Sequence, residues 1–334
     1  MAMFHLQINS VSRGAGRRAT SAAAYRAGER IRDERTAEVH NYSRRRDVLH
    51  AEIFIPSQFE GASVAWARNR ERLWNTAEHA EKRYNSRVAR EFQVNLPAEL
   101  DSTQRLTLAR SFARDISDRY KVAVDLAVHA PRPGGDPRNY HAHLLTTTRE
   151  VTPAGLGAKT GLDMAPLERR RRELPDHRQE YINVRERWAT LTNEALREAD
   201  VSARVDHRSL AAQGINREPR PAIPILHLKM EQRGVQSEMA ERLRAEYRAR
   251  IQKRAERTAE ALHSAPAAVG KGAPVQVRDV EEIRRQAREA WLLLRSKEAA
   301  KTAEPFHQAQ PSEQTTRENE TAQSQPRARD DLAL

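Results

Sequence analysis

The chain of 334 residues contains no cysteine. Disulfides, thiolate metal sites and cysteine catalysis are excluded, and any bound metal must rest on His, Asp or Glu. Aromatic residues make up only 5% of the chain, so stacking on nucleobases is restricted to a few positions. Only eight of the 58 basic residues are lysines. No apolar run is long enough to span a bilayer. The first residues, "MAMFHLQINSVSRG", lack the basic segment and apolar stretch of a secretory signal. The expectation is a soluble, cytoplasmic protein with no membrane insertion.

What is present is charge. The formal net charge is +12, with 31% charged and 38% hydrophobic residues, so the core must occupy part of the chain. The length suits one to three domains. Arginine's planar fork matches phosphate, which makes a polyanion the first expected partner. A GC-rich genome would produce the same arginine bias without any function.

Apolar alternation predicts strands at 3–11, 48–56, 88–97, 122–130 and 140–148. Helices are predicted at 19–34, with Thr20 and Ser21 as caps, at 62–87, and at 102–120, with Ser102 as cap. Trp66 and Trp74 fall on the amphipathic face of the second helix, which suits a core. A proline- and glycine-rich loop at 130–139 joins the last two strands. Such an order gives an α+β fold: a central antiparallel sheet with helices on one face, followed by a helical C-terminal extension. After 150 the strands fade. A helix is predicted at 176–200 and a short one at 206–215, ending at Gly214. "ERRRRE" (168–173) reads as loop. "PRPAIPI" (219–225) marks a boundary, giving a domain over 1–224 and a charged helical extension over 225–300, interrupted by "VGKGAP" (269–274). The polar tail at 301–334 is expected to be disordered.

The stretch "NYHAHLLTTTR" (139–149) holds two histidines two apart. On a strand they project to one side. His129 ends the preceding strand, on the face shared with Ala123, Asp125 and Ala127. Antiparallel pairing of 122–130 with 140–148 places His129 beside His141 or His143, and all three imidazoles on one face. Three histidines without a fourth protein ligand form an open site, the form used for chemistry. Chance His-x-His pairs occur, and 12 histidines are available. In "SAAAYRAGER" (21–30), Tyr25 stands among small residues that leave its phenol accessible, although a tyrosine on an alanine-rich helix more often packs inward. Arg13, Arg17 and Arg18 precede that helix, Arg44, Arg45 and Arg46 precede a strand, and Arg132, Arg138 and Arg149 bracket the histidines. Together they could track phosphates.

Four blocks, "FHLQINSVSRGAGRRATSAAAYRAGERIRDERT", "REFQVNLPAEL", "VHAPRPGGDPRNYHAHLLTTTR" and "VDHRSLAAQGINREP", occur in one order over roughly residues 1–220. In this the chain resembles the MobA/MobL family of plasmid mobilization relaxases. The resemblance implies a ferredoxin-like palm with a metal site on its face. The implied activity is a single-strand DNA endonuclease that nicks at a plasmid transfer origin and rejoins the strand after transfer. Tyr25 matches the family's catalytic tyrosine, and His129, His141 and His143 match its metal ligands. Glu91 matches an acidic position near the active site, expected to serve as acid or base. Gln93 stands where relatives often carry a second acid. The expected cofactor is a divalent metal, Mg²⁺ or Mn²⁺, and the expected product is a 5′-phosphotyrosyl DNA. The implied partners are single-stranded origin DNA, accessory mobilization proteins and a conjugative coupling protein. Two other readings compete. A rolling-circle replication initiator shares the chemistry but usually places its tyrosine after the histidines. A basic accessory DNA-binding protein would have no catalysis.

Overall fold

The structure is a computed structural model, described here for residues 2–59, 64–215, 217–264 and 278–303. Contacts gather residues 1–294 into one unit. Of the second unit, 295–334, only the end of one helix is described.

The elements run β1 (Leu6–Ser12), α1 (Ala19–Ala27), β2 (Arg30–Arg32), β3 (Val39–Asn41), β4 (Val48–Phe54), α2 (Ala65–Arg68), α3 (Arg70–Ala80), β5 (Arg87–Asn95), α4 (Ser102–Tyr120), β6 (Val124–His129) and β7 (His141–Thr147). They continue as β8 (Arg149–Thr152), β9 (Gly155–Lys159), α5 (Pro166–Arg171), α6 (His177–Glu198), α7 (Ile225–Gln232), α8 (Glu238–Ser264) and α9 (Arg278–Ala303). Five strands form one antiparallel sheet in the order β1-β5-β7-β6-β4. Two small hairpins, β2-β3 and β8-β9, stand apart from it.

The period-2 alternation gives the sheet two different faces. Phe92, Val94, Val124, Leu126 and Leu144 belong to the core beneath α4 and α6, where Phe112 and Trp188 complete the packing. These long helices cover one face, as alternating strands and helices lead one to expect. Ala89, Ala123 and Leu145 turn to the opposite face, where α1 and α3 cover part of the sheet. The alanines of α1 (Ala19, Ala23, Ala24, Ala27) are buried, and their small side chains let the helix backbone come close.

Several local expectations are revised. The helix predicted over 19–34 stops at Ala27, because Gly28 adopts φ +67 and caps it, its N–H bonding the carbonyl of Ala24. Thr20 and Ser21 do not cap it. Glu78 of α3 accepts from the Ala19 N–H at 2.6 Å, and the Thr20 hydroxyl donates to Asp33. Asp101, not Ser102, caps α4, in a capping box with Gln104. Strands do not fade after 150, since β8 and β9 follow directly. Residues 168–171 of the arginine run are helical, and 206–215 is a series of turns rather than a helix. Charge does not keep α9 solvated throughout: Trp291 is buried in the core and its indole N–H donates to Glu198. "VGKGAP" and residues 304–334 lie outside the described residues.

Trp74 is fully buried, and its indole N–H donates to the buried Asp125 at 2.9 Å. Trp74→Ala should cost about 3–5 kcal/mol by urea denaturation. Trp74→Phe should cost only about 1–3 kcal/mol, the part due to the lost indole hydrogen bond, because Arg70 still donates to both Asp125 oxygens. Equal losses for both would contradict this division.

Candidate metal centre and its tyrosine helix

The register of β6 and β7 sets His129 directly opposite His141, and Ala127 opposite His143. All three imidazoles therefore reach one sheet face. One nitrogen from each lies within 4.8 Å of the others, and the ring centroids are 4.8–5.3 Å apart. His129 and His141 are buried, and His143 is half-buried.

Each ring is anchored by one nitrogen. His129 Nε2 donates to the carbonyl of Arg26 at 2.7 Å. His141 Nδ1 donates to the carbonyl of Asn139 at 3.0 Å. His143 Nδ1 donates to Glu91 Oε1 at 2.7 Å. Because an oxygen without a proton can only accept, these bonds fix the tautomers. Nδ1 of His129 and Nε2 of His141 and His143 keep their lone pairs. Imidazoles anchored on one nitrogen and free on the other have the chemistry of metal ligands. The donor set fits a divalent ion, with further positions open to phosphate or water. His129, His141 and His143 would hold it.

Burial pushes His129 down to about 4 and also lowers His141, so these two rings are neutral at neutral pH. For the metal-free protein this sets a stability profile. The folded form of His129 resists protonation, while an unfolded histidine protonates near 6.5. Its contribution is complete above pH 6.5 and is lost as pH falls toward 4, by about 3 kcal/mol at most. Glu91 adds to the loss at lower pH. Burial pushes its carboxyl up, but hydrogen bonds from His143 and Arg26 outweigh this and hold it at about 2. Its contribution is present above 4.5 and lost below. In EDTA, the thermal midpoint should fall from pH 7 to 5. A flat midpoint across that range would contradict neutral burial.

Tyr25 lies in the last turn of α1 and is 39% exposed. Its ring meets Tyr42 edge-on at 5.2 Å, and the Arg45 guanidinium stacks 4.0 Å above it. Arg45 also donates to the Tyr25 carbonyl at 2.6 Å and pairs with Asp47. The phenol opens onto a cavity of about 650 Å³ lined by Arg17, Arg18, Ser21, His40 and Tyr42, among others. The structure thus brings Tyr25's helix against the strand that carries His129, through Arg26.

The arginines divide. Arg17, Arg44, Arg46 and Arg132 are exposed. Arg138 is exposed and paired with Asp136 at 2.8 Å. Arg18 lines the cavity and pairs with Glu38. The Arg13 side chain turns inward. It is buried against Glu78 at 2.8 Å and donates to the Glu81 carbonyl, tying the turn after β1 to the end of α3. Arg149 is bound to Glu81 at 2.7 Å and to the Gly157 carbonyl. Both are struts rather than free cations. Both oxygens of Glu91 are likewise engaged. Arg26 grips it with Nε at 2.5 Å and Nη2 at 2.7 Å while His143 bonds one of the same oxygens. Arg26 was not legible as a site residue, and its only signal is its place next to Tyr25.

The fold and site define a class: an α+β protein whose antiparallel sheet presents three metal-ready histidines, one of them bonded to the backbone of the helix that carries an exposed tyrosine. The sequence pattern of the MobA/MobL family matches residues 17–233, and the chain belongs to that family. It is 39% identical over 240 residues to mobilization protein MobL of Acidithiobacillus ferridurans, covering 66% of this chain and 61% of that protein. It is 31% identical over 235 residues to the 43 kDa relaxation protein of Salmonella typhimurium, covering 65% and 57%. It thus spans about three fifths of each relative's length. A solved structure described under the molecular basis of vancomycin resistance transfer in Staphylococcus aureus is 30% identical. That match covers 62% of this chain and 100% of the other, with a TM-score of 0.53. No described helix is long and apolar enough to cross a membrane.

Proposed function

We propose that this chain is a DNA relaxase. It nicks one strand at a plasmid transfer origin through Tyr25 and rejoins it after transfer. One observation carries the reading: the tyrosine's helix is seated by a hydrogen bond from one of three convergent histidines. Family membership and the relatives' names as mobilization and relaxation proteins support it.

A divalent ion, Mg²⁺ or Mn²⁺, supplies Lewis-acid charge withdrawal from a phosphate oxygen when bound. The chain's own residues do the rest. The Tyr25 phenol loses its proton and its oxygen bonds phosphorus. The bond from phosphorus to the 3′ oxygen breaks, and that oxygen takes up a proton. The strand is left with a free 3′-hydroxyl and a 5′-phosphotyrosyl end. The covalent ester conserves the phosphodiester energy, so reversal reseals the strand. Arg45, stacked on the ring, holds the phenol in place. Arg17, Arg18, Arg44, Arg46, Arg132 and Arg138 supply phosphate contacts, which makes binding strongly salt-dependent. Accessory mobilization proteins and a coupling protein complete the expected assembly.

The test uses the full chain with labelled single-stranded oligonucleotides tiling the transfer origin of its own replicon. An SDS-resistant adduct formed with Mg²⁺ or Mn²⁺ and absent in EDTA is expected. Origin binding without any adduct would favour a non-catalytic accessory protein.

A further inference from the structure

The last turn of a helix leaves carbonyls without intrahelical partners. In α1 three of these have specific partners. The Ala24 carbonyl accepts from Gly28 and Glu29. The Tyr25 carbonyl accepts from Arg45. The Arg26 carbonyl accepts from His129 Nε2. One carbonyl at the end of the helix is therefore held by the histidine cluster itself.

Arg26 reaches the cluster a second time through its side chain. Its guanidinium makes a two-pronged pair with Glu91, which is 5% exposed. The same carboxylate accepts from His143 Nδ1. One residue thus touches two of the three histidines by separate routes: His129 through its backbone, and His143 through Glu91. Two-pronged guanidinium pairing fixes the plane of a carboxylate as well as its place. The Glu91 oxygen in turn fixes which His143 nitrogen carries the proton and where the ring points. Without the guanidinium, Glu91 would be a buried carboxylate held at one oxygen only and free to rotate.

We infer that Arg26 is a positioning residue that couples the tyrosine helix to the metal ligands, with Glu91 as its relay to His143 rather than as an acid or base. This rests on the relaxase reading for the identity of the nucleophile, but its metal-binding consequence stands apart from DNA cleavage. Partners of this kind orient the ligands they touch, and their removal typically weakens metal binding about 10–100-fold.

The experiment titrates Mn²⁺ into the full-length, metal-free protein by calorimetry without DNA. Wild type is compared with Arg26→Ala, Arg26→Lys, Glu91→Gln and the double variant Arg26→Ala/Glu91→Gln, each checked by circular dichroism to be folded at the working temperature. Arg26→Ala should weaken Mn²⁺ by about 10-fold or more. Arg26→Lys should recover only part of this, because lysine cannot grip both oxygens. The double variant should be no weaker than the worse single one, since both changes cut one route. An unchanged Mn²⁺ affinity in folded Arg26→Ala overturns the coupling and leaves the relaxase reading intact. Additive losses in the double variant overturn the relay through Glu91. Failure of wild type to bind Mn²⁺ overturns the coupling together with the metal-dependent reading. Intact metal coupling without DNA cleavage overturns the relaxase reading alone.

Discussion

Replacing Tyr25 with phenylalanine should abolish the covalent protein–DNA adduct and lower strand cleavage on the order of 10⁴-fold or more, while leaving fold, metal binding and DNA binding close to wild type. The substitution removes one oxygen from a ring that is partly exposed and touches Tyr42 at its edge. No hydrogen bond of the phenol oxygen supports the fold among the described contacts, so stability should change little. Oligonucleotide cleavage scored on denaturing gels, with binding measured in parallel by fluorescence anisotropy, separates the two effects. Cleavage retained in Tyr25→Phe but lost on changing Tyr181, a later tyrosine, would indicate a replication-initiator arrangement. Tyr181 itself packs against the core, its hydroxyl accepting from Arg90 at 2.8 Å, so its loss should act through stability.

The second large effect concerns the histidines. His141→Ala or His143→Ala should each weaken Mn²⁺ by well beyond the roughly 10–100-fold expected from removing an outer partner. Nicking should fall on the order of 10³-fold, matching several kcal/mol of lost charge stabilisation. The two variants differ in what they leave behind. His143→Ala strips Glu91 of one hydrogen bond, though Arg26 still holds both its oxygens. His141→Ala frees only a loop carbonyl, that of Asn139. His141→Ala should therefore be the cleaner metal-deficient variant, with a thermal midpoint closer to the metal-free wild type. Full metal affinity in either variant would place the ion elsewhere.

The parts of this molecule that were legible in sequence share one physical cause. Apolar alternation in β5 and β6 and the proline- and glycine-rich loop between β6 and β7 indicate which residues share a face. The three histidines followed from that parity alone. Elements that depend on partners far along the chain were not legible. β2 and β3 have three residues each, too short for a periodic signal, and the turn between them is organised by Asp33 accepting from the N–H groups of Arg35 and Thr36. The N-terminus of α1 is capped by Glu78, 59 positions away, so local cap residues misled. Among the arginines, the chain order shows charge but not pairing. Arg13 and Arg149 looked like surface cations because Glu78 and Glu81, which bind them, lie 65 or more positions away. Arg26 was hidden for the same reason, since its partners Glu91 and His129 come from two different strands.

The most direct test of the account is to identify the residue that carries the DNA. The full-length protein is reacted with origin oligonucleotide in Mn²⁺, the adduct is isolated and digested, and the nucleotide-bearing peptide is sequenced by mass spectrometry. A 5′-phosphodiester on Tyr25, formed only with metal and lost in His141→Ala, is the expected result. Attachment at Tyr42 or any other tyrosine, or an adduct that forms equally well in EDTA, would contradict it.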